Sequence, residues 1–202
     1  MKPLALSTMF AQQDRFADGA VFARFAADAG YQAIEISHST PRGKIERILE
    51  SAALPVTSVH QPAPWVRHAN GRGNSHCNLA ALDRDERQAA IDYAALSIEL
   101  CGRIGATRMV VHLGHVGDVV EQLEEELELR QRFDRGTSDP AQSAELREAA
   151  IRHRKEQAEP YLAMARASLV ELVHLAEPHG VTIGIENRYH YHEIPHPPEY
   201  GQ

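Results

Sequence analysis

The chain has 202 residues, 43% of them hydrophobic, which is enough for one domain with a sizeable core. Its 21 basic and 28 acidic side chains leave a formal charge of -7, which argues against broad contact with a phosphate backbone. Cys77 and Cys101 form no CxxC pair, the start of the chain lacks a long apolar run, and no segment is long enough to span a bilayer; a reducing, cytoplasmic setting away from membranes is expected.

Strand and helix patterns alternate along the chain. The first strand is read at Pro3–Ser7. A helix over Gly19–Ala29 turns Val21, Phe22, Phe25 and Ala26 inward, with Gly30 as its stop. The second strand is Ala33–Ser37, followed by a helix near Lys44–Ser51 with Ile45, Ile48 and Leu49 inward. The third strand, Leu54–His60, leads into a long loop, Gln61–Ala81, of the kind that carries function in a compact domain. A helix over Asp83–Arg103 has Ile91, Ala94, Ala95, Ile98 and Cys101 as its stripe, and Gly105 ends it. The fourth strand is Thr107–His112.

The stretch from Gly117 to Glu177 is too long for one crossover helix. Val119–Phe133 reads as a charged helix, and Gly136–Pro140 as a break. A second helix begins near Ala141 and is expected to kink or split at Pro160. Residues 117–160 are read as a helical insertion, either a hairpin over a site or a solvated excursion. The acidic run Glu121–Glu128 is read as a solvated helix face. The fifth strand is Val181–Glu186. This alternation implies parallel strands with right-handed crossovers. No glycine-rich phosphate loop follows any strand, which disfavours a dinucleotide fold or a phosphate-loop enzyme.

Three of the strands end in a side chain that can hold a metal: His60, His112 and Glu186. If the strands are parallel neighbours, these side chains emerge at the carboxyl end of one sheet, where α/β barrels build their active sites. Two imidazoles and a carboxylate suit a divalent ion. The bland alternatives are a core histidine bonded to a backbone carbonyl, and a Glu186 neutralised by Arg188. His115 is an alternative ligand or a donor behind one. Glu35, at the end of the second strand, either orients a histidine or makes an ordinary salt bridge; His38 beyond it is a weaker candidate. Trp65 either stacks on a sugar ring or base or packs against the rim. Asn187 and Arg188 are candidate substrate ligands, the guanidinium for a phosphate or carboxylate. His190, His192, Glu193 and His196 have the residue types of a metal cluster at irregular spacing, or form a polar loop without one.

Ser58-Val-His60-Gln-Pro62, Val110-Val-His112-Leu-Gly114 and Ile185-Glu186-Asn187, with Asp83-Arg-Asp-Glu-Arg87 before the fourth strand, resemble the xylose-isomerase-like TIM-barrel superfamily. That group includes sugar-phosphate isomerases and epimerases and the endonuclease IV class. The resemblance implies an α/β fold, an eight-stranded (β/α) barrel with a divalent metal (Mn, Zn, Co or Mg) at its mouth. Glu186 would be the shared ligand, with His60 and His112 on metal or substrate. Only five strands are legible, so the chain reads as a single incomplete domain over 1–202, a fragment or truncation whose open sheet edges favour association with a second copy. The expected activity is metal-dependent isomerisation or epimerisation of a sugar or sugar phosphate, through proton abstraction next to a carbonyl. The alternatives are an endonuclease IV-like phosphodiesterase, which the acidic balance disfavours, and a non-catalytic barrel fragment.

Overall fold

The computed structural model describes residues 4–38, 40–67, 77–117 and 124–201. The chain divides into two compact units, and each is taken by itself.

The first unit comprises residues 1–77, 89–111 and 170–185. It holds a parallel sheet of five strands, β1 (Ala5–Ser7), β2 (Ala33–Ile36), β3 (Val56–His60), β4 (Arg108–Val111) and β5 (Thr182–Ile185), in the order of the sequence. Each strand is hydrogen-bonded to the next one in the chain, so β1 and β5 are the sheet's two edges. Sequential parallel strands joined by helices are the arrangement of a TIM-type barrel, here in five strands. The strands are short, β2 to β5 carry β-branched residues, and Ile34, Ile36, Val59, Met109 and Val111 are fully buried.

Helix α1 (Gly19–Asp28) starts at Asp18, whose side chain accepts from the Ala20 N–H at 2.9 Å. It ends where Gly30 takes φ +89°, and the Tyr31 N–H reaches back to the Ala26 carbonyl at 3.1 Å. Its inward face is Ala20, Phe22, Ala23 and Ala26, with Val21 turned outward against expectation. Helix α2 (Arg42–Ser51) buries Ile45 and Ile48 and leaves the expected Leu49 exposed. In both helices the inward arc is narrower than the apolar run, so one apolar residue falls on its edge. Helix α3 (Arg84–Ile104) covers the sheet with Ile91, Ala94, Ile98 and Cys101 from residue 89 onward, as expected, and adds Tyr93, whose hydroxyl donates to the Val66 carbonyl at 3.3 Å. Burial pushes the Cys101 thiol up to about 12, so it is a neutral packing group.

The second unit comprises residues 78–88, 112–169 and 186–202. It contains α4 (Glu124–Asp134), most of α5 (Pro140–Ala176), and the segments that leave β4 and β5. Asp139 caps α5, its carboxylate accepting from the Gln142 N–H at 2.9 Å, and Pro140 takes the first helical position. Of the kink or split expected at Pro160, the split does not occur: the proline lies inside one continuous helix. The buried positions 150, 154, 158, 161, 165 and 168 follow one another at spacings of three and four straight through the proline. Packing along that stripe holds the helix, and the Glu156 carbonyl that loses its partner sits at an exposed position. The charged helix is not uniformly solvated either: Glu126 is buried, the only such residue in α4. The start of the expected helix, 118–123, lies outside the described residues.

Candidate functional site

In the first unit, His60 is the last residue of β3. Its Nδ1–H donates to the Gln61 carbonyl at 2.9 Å, which fixes the tautomer and puts the ring's lone pair on Nε2. His38 lies beside it, with ring centroids 5.4 Å apart. Glu35 accepts a hydrogen bond from the Ser58 hydroxyl at 3.0 Å, across the register pair that joins β2 to β3. Among the described residues, this bond stands in place of the expected histidine partner or salt bridge. Gln61 is buried, and its Nε2 has no hydrogen-bond partner among the described residues. Trp65 is 45% exposed, held by its backbone N–H on the Thr40 carbonyl at 2.9 Å.

In the second unit, His112 and Glu186 are the first residues beyond β4 and β5, so those strands stop one residue earlier than their sequence reading. His112 Nε2 and Glu186 Oε2 are 3.2 Å apart. The carboxylate side chain is 53% exposed, so desolvation does not force a partner upon it. The Arg188 guanidinium, the partner expected to neutralise it, pairs with Glu193 at 3.0 Å. Asn187 accepts from the Tyr200 hydroxyl at 3.3 Å.

Behind this pair, Asn78 is a polar anchor that the sequence reading passed over. Its side-chain carbonyl accepts from the backbone N–H groups of Ala80 at 3.0 Å and His115 at 3.1 Å, and its amide donates back to the His115 carbonyl at 3.1 Å. Gly114 makes room for it, because a Cβ there would lie 2.0 Å from Asn78 Oδ1, and the backbone has φ +109°. His115 is therefore 9% exposed and locked in place, and burial lowers its pKa. It faces the His192 ring edge-on at 5.5 Å.

The segment after β5 folds back as a structured element. Val116 N–H donates to the His192 carbonyl at 2.8 Å, and Ile194 N–H to the Gly114 carbonyl at 2.9 Å. Arg154 of α5 is 4% exposed and reaches the Glu199 carboxylate with two parallel hydrogen bonds of 2.6 and 2.8 Å, besides the Glu193 carbonyl at 3.0 Å. Burial alone raises the Glu199 carboxyl, but the Arg154 hydrogen bond and charge and the His196 N–H outweigh it and hold it below its usual value. His196 is lowered, first by burial and then by Arg154.

A third group collects Glu126 of α4 with His190 and His192, whose ligand atoms all lie within 4.8 Å of one another. Glu126 Oε1 bonds His190 Nδ1, and Glu126 Oε2 accepts from the Tyr191 N–H at 3.1 Å. Burial, then the neighbouring His115, push His192 down to about 4. The sequence pointed to His190 and His192 but hid Glu126, since a run of glutamates carries no mark of which one turns inward.

A family model described as xylose isomerase-like TIM barrel matches residues 23–194. No curated protein matches the chain by sequence. Among solved structures, the chain is similar to a D-tagatose 3-epimerase-like protein (TM-score 0.58, 17% identity), over 92% of this chain and 52% of that one. It is similar to an L-ribulose 3-epimerase (TM-score 0.57, 17% identity) over 96% and 52%, respectively. A 3-keto-D-glucoside 4-epimerase from E. coli matches with TM-score 0.58 and 14% identity, over 95% and 57%. The chain thus spans about half the length of these structures, and at such identities the likeness is one of fold.

Proposed function

Because the chain belongs to the xylose isomerase-like TIM barrel family, we propose that it carries the first half of the site of a metal-dependent sugar or sugar-phosphate isomerase or epimerase. The observation that carries this reading is the His112–Glu186 pair, 3.2 Å apart at the first positions beyond two neighbouring strands. An imidazole and a carboxylate suit a divalent ion of the manganese, zinc, cobalt or magnesium group, and His60 at the end of β3 is the candidate donor that the first unit carries. Among the described residues, no helix is long and apolar enough to cross a membrane, and a small sugar fits a site at strand ends. The helices of residues 117–160 are read as an insertion beside that site.

A bound divalent ion supplies polarisation of the sugar's carbonyl and hydroxyl oxygens. The chain's own groups act on the bound sugar. In the role alternative to ligation, the Glu186 carboxylate takes the proton from the carbon next to the carbonyl, and the C–H electron pair moves to the carbonyl oxygen, giving an enediolate. Return of that proton to the neighbouring carbon is isomerisation; epimerisation requires a second acid on the opposite face to deliver a proton to the same carbon. His112 holds the Glu186 carboxylate in place, and His60 presents Nε2 to metal or to a substrate hydroxyl. Gln61, Trp65, Asn187 and Arg188 are the candidates to bind the remaining hydroxyls or a phosphate.

The test is solvent deuterium incorporation next to the carbonyl in a panel of ketoses and ketose phosphates, with manganese or cobalt added. Exchange is expected in the wild type and should fall about 100-fold or more in Glu186→Ala, in line with loss of a general base. Ion content by mass spectrometry should fall in parallel. Metal-dependent cleavage of an abasic-site oligonucleotide without sugar exchange would instead establish the phosphodiesterase alternative.

A further inference from the structure

The second histidine–carboxylate group has no part in that chemistry, and its geometry points to a role of its own. We propose that Glu126, His190 and His192 bind a second divalent transition-metal ion, of the zinc class, which clips α4 to the segment following β5.

Two imidazole nitrogens and a carboxylate oxygen within 4.8 Å of one another are spaced for a single ion. Around zinc, with bonds of about 2.0–2.2 Å, donor atoms lie roughly 3.4 Å apart. His192 Nδ1 stands 3.8 Å from Glu126 Oε2, close to that spacing and too far for a hydrogen bond. The His192 side chain is 5% exposed, and its Nδ1 has no hydrogen-bond partner among the described residues. A buried ring nitrogen left in this way is desolvated without compensation, and an ion between it and Glu126 would satisfy it. The side chains of Glu126 and His190 are 9% and 10% exposed, so all three donors are removed from bulk water.

The surroundings hold the donors where an ion needs them. The Tyr191 N–H fixes Glu126 Oε2, the bond from Val116 fixes the His192 backbone, and the His190 and His192 rings stack at 5.3 Å. His115 packs edge-on against the outer side of His192. Second-layer groups of this kind orient metal-binding histidines. A purely hydrogen-bonded cluster would account for the His190–Glu126 contact but leaves His192 Nδ1 unexplained.

This inference does not depend on the metal proposed at Glu186, and the experiment keeps the two apart. The Glu186→Ala chain is stripped with chelator and titrated with cobalt(II), followed by visible absorption, with zinc competition giving the affinity. One tightly bound ion is expected in that background. Adding His192→Asn or the near-isosteric Glu126→Gln should weaken binding by about 100-fold or more, since even the loss of a supporting group costs 10–100-fold. Zinc should also raise the melting temperature of Glu186→Ala but not of the two double variants. A Glu186→Ala chain that binds no cobalt, or the same affinity in a folded Glu126→Gln double variant, overturns the proposal. If Glu186→Ala binds an ion yet the wild type shows no sugar exchange, the catalytic reading fails and this one stands.

Discussion

The two units are held together by different physics. In the first, the interior is aliphatic and aromatic: Phe22, Ile34, Ile36, Ile98 and Met109 are almost wholly buried between a parallel sheet and its helices. In the second, much of the ordering rests on buried polar residues: Arg154 on Glu199 and Glu193, Asn78 on His115, Ser168 on the Leu79 carbonyl, and Glu126 with its two histidines. Burial of apolar surface is non-directional and tolerates substitution by size. A buried polar network depends on every partner, and losing one leaves the others desolvated and unpaired. The second unit should therefore be less forgiving of single polar substitutions, and acid should reach it before the sheet.

The sharpest way to break that contrast is at Arg154. Arg154→Met keeps the apolar stem of α5 and removes the fork that binds Glu199, leaving a carboxylate only 12% exposed without its counter-charge. Breaking one side of a buried pair costs about 3–5 kcal/mol. Urea unfolding of Arg154→Met should show a loss of that size, and adding Glu199→Gln should recover part of it. An unchanged midpoint would mean that the 190–201 segment is held by something other than this pair.

The matching substitution in the first unit is Ile98→Ala. Ile98 is 1% exposed and packs within the sheet unit, so removing three carbons should cost about 2–4 kcal/mol through lost transfer energy and the cavity left behind. Here Ile98→Val should recover most of the stability, which a volume-driven core allows and a directional network does not. If valine proves no better than alanine in the same urea titration, the distinction between the units fails on this side.

The same distinction explains what the sequence revealed. The first unit was legible because its signal is periodic: β-branched runs gave β2 to β5 to within a residue or two, and the helical stripe gave Ile91, Ala94, Ile98 and Cys101 of α3, though it missed Tyr93, Ser97 and Leu100 and included Ala95, which is half-buried. The strand readings also put His60 at the last position of β3 and His112 and Glu186 directly after β4 and β5. The second unit uses no such code. The inward position of α4 is occupied by Glu126, while Leu127 beside it is 43% exposed, the reverse of an amphipathic pattern. Asn78 lay in a loop already marked as functional, but nothing local singles out the one amide whose partner is a glycine 36 positions on. Pro160 signalled a break that packing at Ala158, Tyr161 and Ala165 overrides.

Asn78 offers a smaller test within the polar unit. Asn78→Ala strips the acceptor from two backbone N–H groups and the donor from the His115 carbonyl, a loss of about 1–3 kcal/mol. Asn78→Asp keeps the acceptor and loses the donor, so it should fall between the wild type and alanine in thermal stability. An aspartate variant worse than alanine would show that the amide's donated bond to His115 is the one that matters.

The smallest effect, and the one that separates the units most cleanly, is that of pH. His196 has its pKa lowered by burial, so the neutral form is favoured in the fold. Its contribution is complete above the unfolded value of 6.5 and is lost as pH falls below it toward the lowered folded value. Glu199, also lowered, contributes fully above the unfolded 4.5 and loses that contribution as pH falls through its own depressed value. Glu193 runs the other way, since burial raises it and protonation relieves its cost, so it opposes part of that loss. Amide exchange corrected for intrinsic rate should then show residues 187–201 losing protection as pH drops from about 7 to about 3, while β2 to β4 hold theirs. Arg154→Met should shift this acid sensitivity at the lower end, where Glu199 titrates, and leave the part governed by His196 burial in place. Parallel loss in both units would mean that they open as one cooperative body and that the polar cluster is only its most visible seam.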